Sequence, residues 1–211
     1  MESPASSATN GAEGAPDALA SNPFDPVVNV AGIDEDAIAD GPGLRFVLFV
    51  QGCPHDCPGC HNPQTHAFGA GTDMRVSELF RRIVSNPLLT GVTFSGGDPM
   101  YQAGPLAELA ERLRAHGGYD ITVFTGDTFE GLLRSGTPDQ LRLLRAADIL
   151  IDGPFVLAQR DRLLRFRGSA NQRILDVRRS LSDMRPVWTI DPEWIEGDPG
   201  ADPSRARHVG A

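Results

Sequence analysis

The sequence predicts an α/β fold in which strands and helices alternate. The expected architecture is an open, partial β/α barrel of the TIM type with about four to six βα units. Short apolar runs rich in β-forming residues alternate with segments whose apolar residues recur at helical spacing. Polar and glycine-rich motifs directly follow those runs. Because the carboxyl ends of parallel strands form the active face of such folds, these motifs are expected to meet in one cleft.

Four strands, one further extended segment and three helices are expected along the chain. The strands cover residues 44–50, 91–95, 120–125 and 147–151, with the extended segment at 173–177. The helices cover residues 76–84, 106–113 and 138–146. The last helix has the clearest start signal, since Thr137, Pro138 and Gln140 form the pattern of a capping box with proline at the first helical position. Asn86-Pro87 and Gly117-Gly118 end the first two helices.

Composition predicts one folded domain at residues 23–191 between two polar tails. Residues 1–22 are rich in Ala, Ser, Gly and Pro and do not resemble a signal peptide, so a disordered tail is expected there. Residues 192–211 are expected to form a flexible C-terminal tail. No run of about 18 apolar residues occurs, so no membrane span is expected. The net charge of −9 argues against nucleic acid as a partner, because an acidic chain gains nothing from counterion release.

The three cysteines of the chain, Cys53, Cys57 and Cys60, all lie within eight residues. An odd number packed this closely is a poor disulfide framework. It favours metal ligation in a reducing compartment, for which the cytoplasm is the natural place. Iron–sulfur clusters prefer thiolate ligands and usually take four. With only three protein thiolates, one iron would remain open to a substrate.

The cysteine spacing by itself leaves two other interpretations open. A Cys₃His zinc site would use the same three cysteines with His61 or His55. Cysteines that pack without any metal are disfavoured, because prolines and polar residues surround them. The spacing therefore supports a metal site and does not choose the metal.

Five short motifs accompany the cysteine loop: DGPGLR (residues 40–45), CHNP (60–63), SGGDP (95–99), DGPFV (152–156) and RGSANQ (167–172). The CxxxCxxC loop after a buried strand resembles the radical S-adenosylmethionine (SAM) superfamily. DGPG and CHNP resemble the glycyl-radical-enzyme activases within it. The last three motifs, and the Pro-Gly pair before the third cysteine, are similar to the branch that serves anaerobic ribonucleoside-triphosphate reductases. The resemblance covers residues 40–177, nearly the whole expected domain.

This resemblance implies a [4Fe–4S] cluster on Cys53, Cys57 and Cys60, with SAM bound at the open iron. An electron from the reduced cluster would cleave a carbon–sulfur bond of SAM, giving methionine and a 5′-deoxyadenosyl radical. That radical would remove a hydrogen atom from one glycine of an anaerobic ribonucleoside-triphosphate reductase. Activation of another glycyl radical enzyme, or modification of another peptide, is the alternative. Reduced flavodoxin or ferredoxin is the electron donor that the resemblance implies.

The resemblance also implies cofactor contacts at the ends of several strands. The candidate cofactor-binding residues are Gly96, Gly97, Asp98, Thr125, Asp152 and Asn171. The two glycines permit close backbone approach, and Asp98 is expected to face the ammonium group of SAM. Asp152 is expected to bind the cofactor or a monovalent cation, unless it caps backbone amides as an ordinary loop aspartate.

Two further groups of residues have open roles at this point. Asp40 and Arg45 flank the first predicted strand, where they contact the cofactor or the incoming glycyl loop, or form an ordinary ion pair. His55, His61 and His66 crowd the cysteine loop. For all three histidines, hydrogen bonding within the loop or support of the metal ligands is the preferred interpretation, not iron ligation.

Overall fold

The computed structural model describes residues 24–198 and residue 200, which contain an open seven-stranded sheet in the order β3-β1-β2-β4-β5-β6-β7. The strands are β1 (Val27–Ala37), β2 (Arg45–Val50), β3 (Thr72–Arg75), β4 (Gly91–Gly96), β5 (Asp120–Phe124), β6 (Ile149–Asp152) and β7 (Arg173–Asp176). The helices are α1 (Val76–Val84), α2 (Ala103–His116), α3 (Phe129–Ser135), α4 (Pro138–Ala146), α5 (Val177–Asp183) and α6 (Pro192–Ile195). The predicted N-terminal tail lies outside the described residues.

The centre of the sheet is parallel and its flanks are antiparallel. Strands β2, β4, β5 and β6 run parallel in that order, joined by connections that contain the helices α1 to α4. The N-terminal strands β1 and β3 and the late strand β7 add antiparallel pairs at the two sides. The predicted open α/β architecture is confirmed, and the sheet is mixed where the sequence indicated only parallel units. Strands β1 and β3 were not predicted, because β1 contains a polar half, GIDEDA, without the apolar pattern of a buried strand.

The predicted bounds of α1 and α4 agree with the structure, whereas α2 begins at Ala103, three residues before its expected start, and ends at His116, directly before Gly117-Gly118. The helix α1 ends at Val84, just before Asn86-Pro87. Its expected apolar residues Val76, Leu79 and Ile83 are buried, and Phe80 and Val84 are partly buried. The start of α4 is the predicted capping box: the Thr137 hydroxyl accepts from the Gln140 amide at 3.2 Å, and the Gln140 side chain accepts from the Thr137 amide at 2.9 Å. A cap of this kind contributes about 1 kcal/mol.

The two faces of the central strands carry different residues. Alternate residues of β2, namely Phe46, Leu48 and Val50, lie in the main apolar core with α1, α2 and α4. This alternation follows from the period-two arrangement of side chains along a strand. On the opposite, inner face, the starts of the strands carry polar side chains, and their carboxyl ends open into a cleft.

Arg45 and Trp194 cover the inner face of the sheet at the amino ends of the strands. The Arg45 side chain is buried; its guanidinium donates to the Thr93 hydroxyl at 2.8 Å and to the Asp120 carboxylate at 2.7 Å. The guanidinium lies 5.7 Å from the centroid of the Trp194 ring. The ion-pair partner of Arg45 is Asp120 rather than the expected Asp40, which instead lines the cleft. The arginine lies at the amino ends of the strands, opposite the edge that carries the cleft.

The C-terminal part of the described chain belongs to the folded domain. Trp194, on α6, is 3% exposed and packs with Ile149, Ile151 and Ile174 in a second apolar cluster. The domain boundary predicted at residue 191 therefore lies ahead of a helix that is part of the core. The sequence did not indicate this because α6 has only four residues, too few for a periodic pattern.

Candidate functional site: a cysteine loop and a glycine turn in one cleft

The cysteine loop joins β2 to β3, and it turns back on itself between the ligand positions. Asp56 and Gly59 have positive φ angles of 43° and 75°, and the Cys60 amide donates to the Cys57 carbonyl at 3.1 Å. A left-handed residue in each interval reverses the chain direction, which a helix or strand does not do. All three cysteines are half-buried and unpaired by disulfides. The irregular backbone thus brings three thiols to one face of the loop.

The chemistry of the donor set fits an iron–sulfur cluster. All three cysteines line one cavity together with the glycine turn after β4. Iron–sulfur clusters are held by cysteine thiolates, and three thiolates at a cavity wall can hold such a cluster with one iron open to the cavity.

The glycine turn after β4 packs directly on the start of the cysteine loop. A Cβ atom added to Gly97 would lie 2.4 Å from the Gly52 carbonyl oxygen, and one added to Gly96 would lie 2.6 Å from the Val50 amide nitrogen. The Gly97 amide donates to the Val50 carbonyl at 2.7 Å, and the Asp98 amide donates to the Gly52 carbonyl at 2.9 Å. Both glycines are required because two backbone segments touch here.

The Asp98 carboxylate connects three strand ends. It is 1% exposed, and its Oδ2 atom accepts from the Thr125 hydroxyl at 3.0 Å and the Gly126 amide at 2.9 Å. The same oxygen lies 2.7 Å from Nε2 of His55, and Oδ1 accepts from the Met100 amide at 2.9 Å. The carboxylate is therefore turned into the protein, where four groups bind it.

Charges near the cysteine loop act on one another. The hydrogen bond to Asp98 raises the pKa of the His55 imidazole, and the Asp127 carboxylate contributes in the same direction. Burial raises the pKa of the Asp127 carboxyl, and Asp98 adds to this shift. Burial is also the largest cause of the raised pKa of the Cys53 thiol. A bound metal reverses that last tendency, because a coordinated thiol is deprotonated.

A cleft of about 390 Å³ opens at the carboxyl ends of the parallel strands. This volume lies within the range of about 300–1,000 Å³ found for small-molecule sites. Its polar wall contains all three cysteines, Gly96, Gly97, Asp98, Thr125, Gly126 and Gln172; its apolar wall contains Phe49, Phe124, Phe155, Leu164 and Phe166. Motifs more than 100 residues apart in the chain therefore share one cavity.

Comparison with known proteins decides the family. Residues 39–175 match the model of the 4Fe–4S single cluster domain. An anaerobic ribonucleoside-triphosphate reductase-activating protein of Salmonella typhi is 34% identical over 149 residues, which cover 67% of this chain and 94% of that protein. The protein of the same description from Vibrio cholerae is 38% identical over 64% of this chain and 89% of its own length.

The chain belongs to the family of anaerobic ribonucleoside-triphosphate reductase-activating proteins. A pyruvate formate-lyase-activating enzyme of Staphylococcus epidermidis is also 34% identical, over 74% of this chain and 64% of that enzyme. The chain is thus a radical SAM activase with a 4Fe–4S domain, and its cofactors are a [4Fe–4S] cluster and SAM. In the described part of the chain, no helix has both the length and the apolar character needed to cross a bilayer.

Within this activase, four of the six predicted cofactor-binding residues line the cleft: Gly96, Gly97, Asp98 and Thr125. Asp152 and Asn171 instead line a neighbouring cavity of about 470 Å³. The Asp152 carboxylate is buried, where it accepts from the Phe129 amide at 2.7 Å and pairs with Arg173. Burial raises the pKa of the Asp152 carboxyl, and the Arg173 guanidinium opposes the shift.

The aromatic side of the cleft, which includes Phe155 and Phe166, was not predicted from the sequence. Phe155 packs against His61 with ring centroids 5.3 Å apart, and Phe166 packs edge-on against Trp194 at 5.2 Å. Phe166 also has a φ of 54°, an unusual value for a bulky residue. This backbone conformation is the only signal that sets Phe166 apart, and the sequence does not reveal it. Of the adjacent amide residues Asn171 and Gln172 in the RGSANQ motif, Gln172 lines the cleft, as does Asn62 of the CHNP motif.

Proposed function

We propose that this chain generates the glycyl radical on an anaerobic ribonucleoside-triphosphate reductase, using a cluster held by Cys53, Cys57 and Cys60. The observation that carries the proposal is the shared cleft: three thiols and the glycine turn line one cavity at the carboxyl ends of the strands. The chain also spans 94% of the Salmonella typhi activating protein but only 64% of the pyruvate formate-lyase-activating enzyme. That difference favours the reductase as target over another glycyl radical enzyme.

The three cysteines are the proposed metal ligands, and they leave one iron without a protein thiolate. When bound and reduced, the cluster supplies the electron that cleaves SAM to methionine and a 5′-deoxyadenosyl radical, which takes a hydrogen atom from the target glycine. The chain's part is binding, orientation and exclusion of side reactions. Reduced flavodoxin or ferredoxin is the proposed donor, and the reducing cytoplasm is the proposed location.

The proposed cofactor contacts divide into direct and supporting ones. Gly96 and Gly97 line the cleft, and a side chain at either position would collide with the end of β2 or with the start of the cysteine loop. Thr125 lies at the cleft with its hydroxyl bound to Asp98. For Asp152 and Asn171 we propose support of the cleft wall. Asp152 holds Arg173, and the Asn171 amide donates to the Pro154 carbonyl at 2.8 Å.

The test is the anaerobic activation reaction. The full chain is reconstituted with iron and sulfide, reduced, and incubated with SAM and a candidate reductase. A glycyl radical signal in the electron paramagnetic resonance spectrum is expected, and a reductase whose target glycine is replaced by alanine serves as control. The Cys57→Ala variant is expected to lose both the cluster and 5′-deoxyadenosine formation.

Three results would contradict parts of the proposal. A radical on pyruvate formate-lyase but none on the reductase would support the alternative target. Cleavage of SAM by the Cys57→Ala variant would remove that cysteine from the ligand set. Zinc bound at one ion per chain, with no brown colour after reconstitution, would overturn the cluster itself.

A further inference from the structure

The backbone between Cys53 and Cys60 has few hydrogen bonds within itself. In the described part of the chain, the bond from Cys60 to Cys57 is the one backbone hydrogen bond with both partners inside residues 53–60. Outside contacts must therefore set the position of this segment. At its start, the Cys53 amide donates to the His66 carbonyl at 3.1 Å. Further along, the side chain of His55 is the next tie to the rest of the fold.

His55 fits tightly between the ends of two strands. Its ring stands edge-on to Tyr101, with centroids 5.9 Å apart and planes at 85°. A Cβ atom added to Gly126 would lie 2.4 Å from the His55 ring, so the absence of a side chain at Gly126 makes room for the imidazole. The imidazole is 19% exposed, and its Nε2 atom points at the Asp98 carboxylate.

Asp98 binds the cysteine loop at two points three residues apart. Its backbone amide donates to the Gly52 carbonyl, and its side chain binds His55. The carboxylate is itself held by Thr125 and Gly126, which directly follow β5. Cys53 lies between the two points of attachment, so its position relative to the glycine turn is determined from both sides.

We propose that His55 is a positioning residue, which acts through Asp98 to hold the cysteine loop at a set distance from the glycine turn. In this proposal Asp98 anchors the cysteine loop, and its expected contact with the SAM ammonium stays a prediction. The spacing matters because SAM must reach from the open iron to the turn, and a misplacement of about 1 Å at a reacting centre costs roughly a hundredfold in rate. The identity of the ligand rests on the proposed function; the tether itself does not.

The tether is tested first on the chain without cofactors, by hydrogen–deuterium exchange at residues 53–60. The variants are His55→Leu, which removes the hydrogen bond, and His55→Gln, which keeps an amide donor of similar reach. His116→Leu is the matched control, because that histidine is exposed at the end of α2. Exchange in the loop is expected to rise in His55→Leu only. Unchanged exchange in that variant would overturn the tether, whatever the activity of the protein.

The second measurement is SAM affinity and the electron paramagnetic resonance spectrum of the reduced cluster after reconstitution. Loss of a buried hydrogen bond to a charged group predicts SAM binding weaker by about ten- to a hundredfold in His55→Leu. His55→Gln is expected to restore both affinity and the spectral change on adding SAM. Wild-type affinity in His55→Leu, or no rescue by glutamine, would refute the positioning role. Failure of the wild-type chain to bind SAM would instead contradict the proposed function, with the exchange result still deciding the tether.

Discussion

Replacement of the buried Arg45 by methionine tests the structural role of the DGPGLR motif. The guanidinium donates to the Val92 carbonyl at 3.1 Å and to the Pro42 carbonyl at 3.2 Å, besides its bonds to Thr93 and Asp120. Methionine keeps the apolar stem and removes every donor. The buried Val92 carbonyl then loses its arginine partner, and the Asp120 carboxylate loses its ion-pair partner.

The expected loss of unfolding free energy is about 3 kcal/mol. Breaking a buried ion pair costs about 3–5 kcal/mol, and the lower end applies because the Asp120 side chain is 36% exposed and can regain water. With a urea m-value of about 2 kcal/mol/M, the midpoint of unfolding falls by about 1.5 M. This is a large share of the 5–15 kcal/mol that stabilises a typical domain.

The assay is urea unfolding of the cofactor-free chain under reducing conditions, followed by circular dichroism and by tryptophan fluorescence. Arg82→Met is the control, since Arg82 forms an exposed ion pair with Glu35 and its loss costs at most about 1 kcal/mol. If Arg45→Met changed the unfolding free energy by less than about 1 kcal/mol, the structural role would be wrong. Loss of SAM binding at unchanged stability would place Arg45 in the cofactor site instead.

Two further substitutions test the turn and the surface. Gly97→Ala should weaken SAM binding at least about tenfold, because its Cβ would meet the Gly52 carbonyl. Gly32→Ala is the control and should leave SAM binding unchanged, because the nearest atom to its Cβ lies 3.9 Å away. Titration of the reconstituted proteins with SAM measures both effects. The Arg142 guanidinium lowers the pKa of the Glu108 carboxyl, with Arg112 in support. Glu108 therefore contributes stability above its unfolded pKa of about 4.3, which disappears as pH falls through the lower folded value. Glu108→Gln should lower the unfolding free energy at pH 7, and the difference from the wild-type chain should shrink as the pH is lowered; a difference that does not change with pH would contradict this.

Much of the site was predictable because its residues are adjacent in sequence. The cysteine loop, the glycine turn and the strands before them are local patterns, since the chemistry of thiolates and the need for glycine at a tight turn act on neighbouring residues. The boundaries of α1 and α4 followed from a proline and a capping box for the same reason. The sequence also predicted that these motifs share one edge of the sheet, because parallel strands place their carboxyl ends together.

The direction in which polar side chains point depends on the packing of the folded chain. Asp98 had the sequence context of a ligand-binding residue, yet its carboxylate binds His55, Thr125 and Gly126 inside the protein. Asp152 likewise faces Arg173 in a neighbouring cavity. These partners are 21 to 43 residues away in the chain, so no local pattern reports them. The cysteine loop and the glycine turn therefore follow from the sequence. The hydrogen bonds that hold the cysteine loop at a set distance from the glycine turn depend on the packing of separate strands.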